Sequence, residues 1–400
     1  MISEAEALEA ILAAVPAGAV ETVPLREACG RVAPADLAAV IPLPAFDNSA
    51  MDGWAIHAAD CGSTGVPLRI VGEQAAGVAR DWQLQPGEAM RIFTGAPLPS
   101  GAAAVVMQED AGRQGDTVVI HSAAAPGEFI RRAGSDICAG QWLVRKGMIL
   151  TPQRIGVLAS QGLAHVACAA LPRASVVCTG EELVTPGTPL PHAGCLYNSN
   201  GPMLAALLDS SKLARPVSIS RVPDDLEKTV ASFAQALSES DVLIIAGGVS
   251  VGDHDLVKPA LERLGIRPQF WRVSIKPGKP FLFGTSGAKL IFGLPGNPVS
   301  AFVTAVLFVL PALRRMAGIA AAQSPTVPAR TLTPLHNRGD RTHYFRGVYE
   351  PAAGQFRAIG TQESHAIAGL SASNALARLE PDASAAAGEE VRVLLLPGAY

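Results

Sequence analysis

Hydrophobic residues near the start of the chain recur at helical spacing, and those that follow recur at strand spacing. A Ser3–Glu6 capping pattern precedes apolar residues spaced three to four apart up to Val15, which predicts a first helix. From about Pro42 the apolar segments are short and bounded by Gly, Pro or Asp, as in PLRIVGE, AMRIFTG, AAVVMQED and DTVVIHS, which predicts a β-rich unit ending near Lys146. TPQRIGVLASQGLAHV then has helical spacing again, so the β-rich unit is predicted to be inserted into a helical frame.

Strand-like and helix-like segments alternate between Ala174 and about Gly318. The predicted strands are ASVVCTG, PVSISRV, DVLIIAGG and FWRVSI, the predicted helices are PMLAALLDS, DDLEKTVASFAQAL and DLVKPALERLG, and FLFGTSGAKLIFGL is a predicted hairpin. DVLIIAGG is apolar almost throughout, as is typical of a strand buried on both faces of a parallel sheet. The alternation predicts an α/β domain with a mainly parallel sheet. Beyond a linker marked by Pro325 and Pro328, the chain from about Arg330 is predicted to form a small β domain.

The stretch between Lys289 and Arg314, LIFGLPGNPVSAFVTAVLFVLPAL, contains no charged residue. Its length alone permits a membrane span, since roughly 20 apolar residues cross a bilayer. Its prolines and its polar Asn297 argue instead for a strand end, a turn and a buried helix, in which Asn297 caps the helix and Pro298 starts it. We interpret the stretch as a helix buried behind a polar site, not as a membrane span.

Composition narrows the class of protein. With 400 residues, 49% hydrophobic and 17% charged, the chain has material for several cores, and roughly two to four domains are expected. A net charge of −3 without a long basic run argues against nucleic-acid binding. The six cysteines include no C-x-x-C pair, which predicts reduced, mostly buried thiols in a cytosolic protein. Acidic residues in MISEAEALEAILAAV argue against an export signal.

Polar residues follow the ends of the predicted strands, where ligands bind in open α/β sheets. These ends carry TGEEL (Glu181, Glu182), RVPDD (Asp224, Asp225), GGVSVGDHD, IKPGKP (Lys276, Lys279) and GLPGNPVS. Taken singly, the glycine-rich loop is explained better as a tight strand-to-helix turn, and the aspartates are often only helix caps. The rigid P-G-K-P sequence argues against ordinary surface lysines. Together, two lysines in a rigid loop beside several carboxylates predict an anion site with a divalent cation.

A second concentration of polar and aromatic residues lies far away in the sequence, in PAFDNSAMDGWAI. Loops of this composition often carry function, but an Asx-turn network that closes a loop explains the pattern equally well.

Taken together, these segments resemble the MoeA-type molybdopterin molybdotransferase family, which includes the E domain of gephyrin. The matching segments are PAFDNSAMDGWA (44–55), IFTGAPLPSGAAAVVMQED (92–110), GSD (134–136), TGEEL (179–183), GGVSVGDHD (247–255), IKPGKP (275–280), GLPGNPVSA (293–301) and RTHYFRGV (341–348). They occur in the family's order and span most of the chain, so the ordered set is highly specific although each segment alone is not.

The resemblance implies a four-part subunit. Its parts are an elongated helical domain (1–43 and 147–173), a β-rich inserted domain (44–146), an α/β molybdopterin-binding domain (174–325) and a C-terminal β-barrel (326–400). The resemblance also implies a cytoplasmic homodimer whose active cleft is shared between subunits, and no nucleic-acid or membrane partner. Molybdopterin adenylyltransferase, which makes the substrate, is implied as the functional partner.

The implied reaction inserts molybdenum from molybdate into adenylylated molybdopterin and releases AMP with the help of Mg²⁺. The resemblance assigns catalytic roles to Asp52, Thr94, Asp136, Glu182, Asp225 (or Asp224) and Asp255. It assigns substrate binding to Gly247, Gly248, Ser250, Gly252, Lys276, Lys279, Pro295, Pro298, Ser300 and Arg346, and the metal to Asp255 and Glu182. Lysines and backbone N–H groups suit a doubly charged oxyanion in a partly dry cleft.

Two positions depart from the family's pattern. Asn198 stands where an aspartate is common, and Trp54 replaces a frequent tyrosine.

Three other functions compete with the implied one. They are a molybdopterin adenylyltransferase, which shares the α/β domain but lacks the FDNSAMDG region, a non-catalytic gephyrin-like scaffold, and a storage module. Retention of Asp255, Lys276 and Lys279 favours the enzyme over the scaffold.

Overall fold

The computed structural model describes residues 1–78, 80–249 and 256–397. The chain divides into two units. Unit 1 comprises Met1–Ala35, Lys146–Ile155 and Ala164–Tyr400, and unit 2 comprises Asp36–Arg145 and Gly156–Leu163. The bounds of the four predicted domains stay a prediction.

Helices and strands alternate along the described chain. The helices are α1 Glu4–Ala14, α2 Pro152–Ser160, α3 Asn200–Ser211, α4 Leu226–Glu239, α5 Val257–Arg263, α6 Pro298–Thr304, α7 Leu310–Met316 and α8 Ile367–Ser371. The strands of the first half are β1 Val20–Pro24, β2 Leu37–Ala38, β3 Asn48–Ser49, β4 Gly53–His57, β5 Pro67–Gln74, β6 Glu88–Ile92, β7 Ala102–Met107, β8 Ala111–Gln114, β9 Thr117–Ile120, β10 Ile130–Arg131, β11 Trp142–Val144, β12 His165–Ala169 and β13 Arg173–Thr179. The remaining strands are β14 Leu183–Val184, β15 Leu196–Tyr197, β16 Arg215–Val222, β17 Val242–Ala246, β18 Phe270–Arg272, β19 Ile275–Lys276, β20 Pro280–Ser286, β21 Lys289–Leu294, β22 Thr326–Thr331, β23 Leu335–His336, β24 Thr342–Glu350, β25 Gln355–Ala358, β26 Ala375–Leu379, β27 Ser384–Ala385 and β28 Glu390–Leu395.

The predicted first helix is confirmed as α1, and its start has a complete capping box. The Ser3 hydroxyl accepts a hydrogen bond from the backbone N–H of Glu6 at 3.2 Å, and the Glu6 carboxylate accepts one from the backbone N–H of Ser3 at 2.7 Å. These two bonds satisfy backbone donors that the first turn of a helix leaves free.

Replacement of Ser3 by alanine is expected to lower the free energy of unfolding by about 1 kcal/mol, the usual effect of removing an N-cap side chain. Urea denaturation of the two proteins measures the difference. The matched control is Ser238→Ala inside α4, where the hydroxyl only bonds the carbonyl of Gln235. Equal stability of wild type and Ser3→Ala would contradict the capping role.

Unit 2 is built on a six-stranded sheet with strand order β7-β4-β6-β5-β9-β8, which is antiparallel except for the β5–β6 pair. Apolar side chains of its central strands, such as Trp54, Met90 and Val105, form the buried cores. The predicted β-rich character of this part of the chain is confirmed.

The predicted helix over TPQRIGVLASQGLAHV is only partly correct. Residues Pro152–Ser160 are helical, but the segment continues through Gly162, which has φ +77°, into β12. β12 pairs antiparallel with β1, more than 140 positions earlier in the sequence. This distant pairing overrides the local helical spacing.

The α/β domain has a six-stranded sheet with strand order β16-β13-β17-β21-β20-β18. The first four strands are parallel, and β20 and β18 are antiparallel additions. Both faces of the sheet are covered, since α3 and the long helix after β21 pack on one face and α4 and α5 pack on the other. The predicted mainly parallel sheet is confirmed, and β17 is buried along its whole length.

The uncharged stretch ends in one continuous helix, Pro298–Met316, which consists of α6, a π-helical turn and α7. The π turn precedes Pro311, which has no N–H and does not fit a regular helical ladder. This helix is long and apolar enough to cross a membrane, but 83% of its most apolar window is buried inside the protein. It is a core helix of this domain, as the sequence predicted.

The last domain closes into a small β-barrel. β24, β25, β22, β28 and β26 are paired in that order, and β24 also pairs with β26. Phe345, Phe356 and Val393 lie in its core. β19, which follows the α/β strand β18, pairs with the barrel strand β24. The predicted C-terminal β-barrel is confirmed.

The expectation of mostly buried cysteines is wrong. Cys168 and Cys178 are buried, whereas the other four are exposed or half-buried: Cys29, Cys61, Cys138 and Cys195. Burial raises the pKa of the Cys178 thiol to about 11, so this thiol stays protonated at neutral pH. Local sequence around a cysteine does not report its burial, because burial depends on which other segments cover it.

Candidate functional site

A cavity of about 800 Å³ opens in unit 1 beyond the carboxyl ends of β17 and β21. We call it the strand-end cavity. Parallel strands end at the same edge of a sheet, so loops that are far apart in sequence meet there. The predicted site residues that line this cavity are Glu182, Gly248, Lys276, Lys279, Pro295, Pro298 and Ser300.

The glycine pair after β17 turns the chain away from the sheet. Gly248 has φ +61°, and a Cβ atom there would lie 2.8 Å from the hydroxyl oxygen of Thr179, so only glycine fits. The backbone N–H of Gly247 donates to the carbonyl of Leu294 at 3.0 Å, which ties the turn to the neighbouring strand. The predictions for Ser250, Gly252 and Asp255 lie outside the described residues.

The lysine loop after β19 lies against the long helix. Gly278 has φ +120°, and a Cβ atom there would lie 2.5 Å from the methyl carbon of Thr304, so a side chain at this position would push the loop off the helix. Lys276 and Lys279 flank this glycine, are exposed, and both line the cavity. Two ammonium groups on a closely packed loop give this edge of the cavity a positive charge.

The GLPGNP turn forms another wall. Pro298 occupies the first helical turn, as predicted, but the Asn297 side chain does not cap the helix. Its amide instead donates to the hydroxyl of Ser364, in the barrel domain, at 2.9 Å. Asn297 therefore links two segments of the cavity wall. The predicted side-chain cap is wrong, because the side chain is oriented by its amide bond to Ser364 and its oxygen accepts no backbone N–H of the helix.

Barrel residues that the sequence did not single out as site residues complete the cavity. They are Arg341, Gln362, Glu363, Ser364 and His365. These residues do not follow strands of the α/β sheet, so the strand-end rule does not predict them. The polar run TQESH, which follows β25 without hydrophobic spacing, was the available signal.

Arg346 is placed behind this wall, not on its surface. Its guanidinium is buried and donates to the backbone carbonyls of Thr361 and Glu363, the latter at 3.1 Å. Its backbone N–H donates to the Gln362 side chain at 2.9 Å, and the Gln362 amide donates back to the Arg346 carbonyl at 3.1 Å. In this arrangement Arg346 holds residues 361–363 in place, and the segment continues into the cavity-lining Ser364 and His365.

Asparagines form the floor of the cavity near α3. The Asn198 side chain accepts a hydrogen bond from the backbone N–H of Gly201 at 3.0 Å and is buried, which fixes the start of α3. Asn200 donates to the carbonyl of Gly296 at 2.7 Å, and its own amide oxygen is buried without a partner in the described structure. That oxygen retains its capacity to accept a hydrogen bond at the edge of the cavity.

Asp225 lies elsewhere, at the N-cap of α4. Its carboxylate accepts a hydrogen bond from the backbone N–H of Lys228 at 3.0 Å, and this bond lowers the pKa of the carboxyl group. It does not line the strand-end cavity. The capping interpretation accounts for this residue in the described structure, and its catalytic role stays a prediction.

Unit 2 brings the remaining predicted residues onto neighbouring loops. The backbone N–H of Gly95 donates to the carbonyl of Ser49 at 2.8 Å, and that of Asp136 donates to the carbonyl of Leu43 at 3.0 Å. β3 pairs with β10. The matched segments 44–55 and 134–136 and the start of the matched segment 92–110 therefore belong to one loop cluster of unit 2.

Asp52 and Thr94 are directly bonded within this cluster. The Asp52 carboxylate accepts from the backbone N–H of Thr94 at 2.7 Å and from its hydroxyl at 2.8 Å. These two bonds, the backbone one first, hold the pKa of Asp52 below its usual value. Asp52 therefore stays ionised at lower pH than a free aspartate.

Replacement of Thr94 by valine is expected to raise the pKa of Asp52 part of the way back to its ordinary value, because the hydroxyl donor is lost and the backbone donor stays. An NMR titration of the Asp52 carboxyl carbon measures both values. The lowered pKa of Asp52 also makes the stability of the fold depend on pH. The bond stabilises the fold above the unfolded-state pKa, and this stabilisation is lost as pH falls through the folded-state pKa. An Asp52 pKa unaffected by the substitution would show that the hydroxyl bond does not form in solution.

Metal ligands are not clustered in the described part of the chain. No group of three or more His, Cys, Asp or Glu side chains suited to a metal ion is found there. Glu182 and Glu363 are the carboxylates among the lining residues of the strand-end cavity. Since Asp255 lies outside the described residues, the predicted pairing of Glu182 with Asp255 at a metal stays a prediction.

Models of known protein families match three consecutive parts of the chain. Residues 2–162 match the model of the MoeA N-terminal region (domain I and II), residues 175–315 match that of a probable molybdopterin binding domain, and residues 328–396 match that of the MoeA C-terminal region (domain IV). A curated relative from Mycobacterium tuberculosis (strain H37Rv), molybdopterin molybdenumtransferase 2, is 37% identical over 382 residues, which are 93% of this chain and 94% of the relative. The chain belongs to the MoeA family.

Other MoeA relatives and structures agree with this assignment. The molybdopterin molybdenumtransferase of Haemophilus influenzae is 35% identical over 92% of each chain. Gephyrin of Dictyostelium discoideum is 32% identical over 89% of this chain but only 56% of its own length. The crystal structure of the MoeA protein from Pyrococcus horikoshii covers 100% of both chains with a TM-score of 0.87 and 30% identity. The family resemblance and the fold class predicted from the motifs are therefore confirmed.

Proposed function

We propose that this MoeA-family chain is a molybdopterin molybdenumtransferase, which inserts molybdenum from molybdate into adenylylated molybdopterin and releases AMP. The observation that carries the proposal is the strand-end cavity, where two lysines, one arginine and the Ser300 and Ser364 hydroxyls converge. Relatives named for this activity share 35–37% identity over more than 90% of the chain. A cavity of about 800 Å³ is also large enough for a nucleotide-sized substrate.

The lining groups suit two kinds of anion. Lys276, Lys279 and Arg341 carry positive charge that complements both a molybdate dianion and the pyrophosphate of the substrate. Free backbone N–H groups at the start of the helix after Pro298 add donors near Ser300. As AMP leaves, charge builds on its phosphate oxygens, and preorganised donors of this kind stabilise such charge.

Magnesium fits the cavity only in combination with the substrate. Mg²⁺ is usually held by one or two carboxylates plus substrate phosphates. Of the two predicted metal ligands, only Glu182 lies within the described residues, and its place in the cavity wall is compatible with such a site. When bound, the ion would neutralise charge on the phosphates. Glu182 and Asp255 are the residues that we propose to hold it.

The loop cluster of unit 2 is proposed as the second half of the active cleft. The resemblance implies that the cleft combines this loop region, with Asp52, Thr94 and Asp136, with the α/β domain of a second subunit. We therefore propose a homodimer with a shared cleft, supplied with substrate by a molybdopterin adenylyltransferase in the cytoplasm. Sedimentation at micromolar concentration measures the oligomeric state, and a monomer would contradict the shared cleft.

The reaction itself is tested with purified protein, adenylylated molybdopterin, Mg²⁺ and molybdate. We expect AMP release that depends on molybdate, together with formation of molybdenum cofactor. Absence of molybdate-dependent AMP release from folded protein would refute the proposal. Adenylylation of molybdopterin with ATP would identify the chain as an adenylyltransferase instead, and binding without turnover would identify a gephyrin-like scaffold or a storage module.

A further inference from the structure

A second cavity, of about 400 Å³, lies in unit 1 beside β19 and the start of β24. We call it the basic cavity. The side chains that line it are Lys276, His336, Asn337, Arg338, Arg341 and His343, so its described lining contains cationic and neutral groups and no carboxylate. None of the proposed catalytic carboxylates belongs to it. Lys276 and Arg341 also line the strand-end cavity, so the two cavities adjoin.

His343 is a buried polar group without a partner. The residue is 4% exposed, and its Nε2 atom has no hydrogen-bond partner among the described residues. Its ring packs against Phe345, with 3.8 Å between the ring centroids. Buried polar atoms in native proteins nearly always have a partner, so an unpaired nitrogen that borders a cavity points to a ligand.

Burial, and then the charges of Lys276, Arg341 and Arg346, lower the pKa of His343 to about 4. The imidazole is therefore neutral at pH 7 and retains one N–H group. The same cations that disfavour a charged imidazole attract an anion into the space in front of it.

The loop that carries the arginines is held in place by Asn337. The Asn337 amide donates to the carbonyls of Arg341 at 2.8 Å and Glu380 at 2.7 Å, and its oxygen accepts from the backbone N–H of Gly339 at 3.3 Å. Arg341 donates to the carbonyl of Ile275 at 3.2 Å, which connects the loop to β19. The basic cavity therefore has a fixed backbone frame, which lowers the entropic cost of binding a ligand.

We propose that the basic cavity is a second anion site, which binds a small tetrahedral dianion through Lys276, Arg338, Arg341 and the Nε2 atom of His343. The three cations attract a dianion, although Arg341 also lies 3.8 Å from the exposed carboxylate of Asp340, and the neutral imidazole supplies an additional directional hydrogen bond. Because Lys276 and Arg341 line both cavities, an oxyanion bound in the basic cavity lies next to the strand-end cavity and can be passed to it. This loading role rests on the proposed function, whereas the binding of the anion does not.

Titration calorimetry of the full chain with molybdate alone tests the site. We expect two binding events per chain. Arg338→Gln and His343→Gln should each weaken the same event by roughly tenfold, the usual effect of losing one hydrogen bond to a charged group. Lys279→Ala should weaken the other event and leave this one unchanged. Arg338 is exposed and His343 is buried, so Arg338→Gln keeps the test valid if His343→Gln does not fold.

Arg357→Gln is the matched control, because it removes the same charge from an exposed position on the barrel strand β25, outside both cavities. A single molybdate event that none of the substitutions at 338 and 343 changes, or an equal effect of Arg357→Gln, would overturn the proposal.

A parallel titration with AMP identifies the source of the anion. Competition between AMP and the Arg338-dependent event would show that the site takes a nucleotide phosphate, which supports an anion site but overturns the loading role. Binding of molybdate without competition supports both. Since turnover is not measured, the proposal survives or fails independently of AMP release by the enzyme.

Discussion

Replacement of Lys279 by alanine is expected to raise the KM for molybdate roughly 10- to 100-fold, because one charged hydrogen bond to the dianion is lost. Lys279 is exposed on the loop that Gly278 fits against the long helix, and its side chain lines the strand-end cavity. The loop itself is held by backbone contacts, such as the bond from the Val273 N–H to the Lys279 carbonyl at 3.1 Å, which alanine retains. The melting temperature should therefore stay the same.

The measurement is AMP release at varied molybdate concentration, with the unfolding transition recorded for each variant. Lys258→Ala on α5 is the matched control, since it removes an exposed lysine of the same domain that lies outside the cavity. Lys279→Arg should restore part of the affinity, because the charge and the donors return. An unchanged molybdate dependence in Lys279→Ala would make Lys279 an ordinary surface residue.

Replacement of Arg346 by methionine is expected to lower the free energy of unfolding by about 3 kcal/mol, since the carbonyls of Thr361 and Glu363 both lose their bond to a buried, charged donor. Methionine keeps an unbranched apolar stem of similar length but cannot donate to Thr361 and Glu363. The segment that carries Ser364 and His365 then loses its anchor, so we also expect weaker molybdate binding at the strand-end cavity.

Urea denaturation and molybdate titration of Arg346→Met and Arg346→Lys distinguish the two roles of this residue. If Arg346 supports the 361–365 segment, lysine should fail to rescue either quantity, because a single ammonium group cannot reproduce the guanidinium fork. If Arg346 contacts the anion directly, lysine should restore binding. Arg357→Met provides the control for the loss of an exposed arginine from the barrel.

The secondary structure of the α/β domain was largely predictable because burial and periodicity coincide there. The run VLIIA is buried at every position and forms β17, and the acidic start of α4 is a true N-cap at Asp225. Prediction failed where a strand is created by a distant partner. Residues His165–Ala169 follow a helix and have helical spacing, yet they complete a pair with β1.

The residues of the candidate site were likewise predictable from the sequence in one part and not in another. Lys276, Lys279 and Ser300 were found from the sequence, because the rule that polar loops follow parallel strand ends needs only the order of strands and loops. Ser364 and His365 were not found, because they come from the barrel, and no local pattern reports which loop of one domain packs against another. Arg346 was expected to touch the anion, whereas its guanidinium is bonded to the backbone behind the cavity wall.

The uncharged stretch before Arg314 shows what the local sequence determines and what only the tertiary structure decides. Its prolines and Asn297 were sufficient to predict a turn and a buried helix, since these residues constrain the backbone locally. The partner of the Asn297 side chain, the Ser364 hydroxyl, was decided only by the folding of the barrel against the helix start. Backbone preferences act between neighbours in sequence, whereas a hydrogen bond across 67 positions forms only after tertiary packing has brought its two ends together.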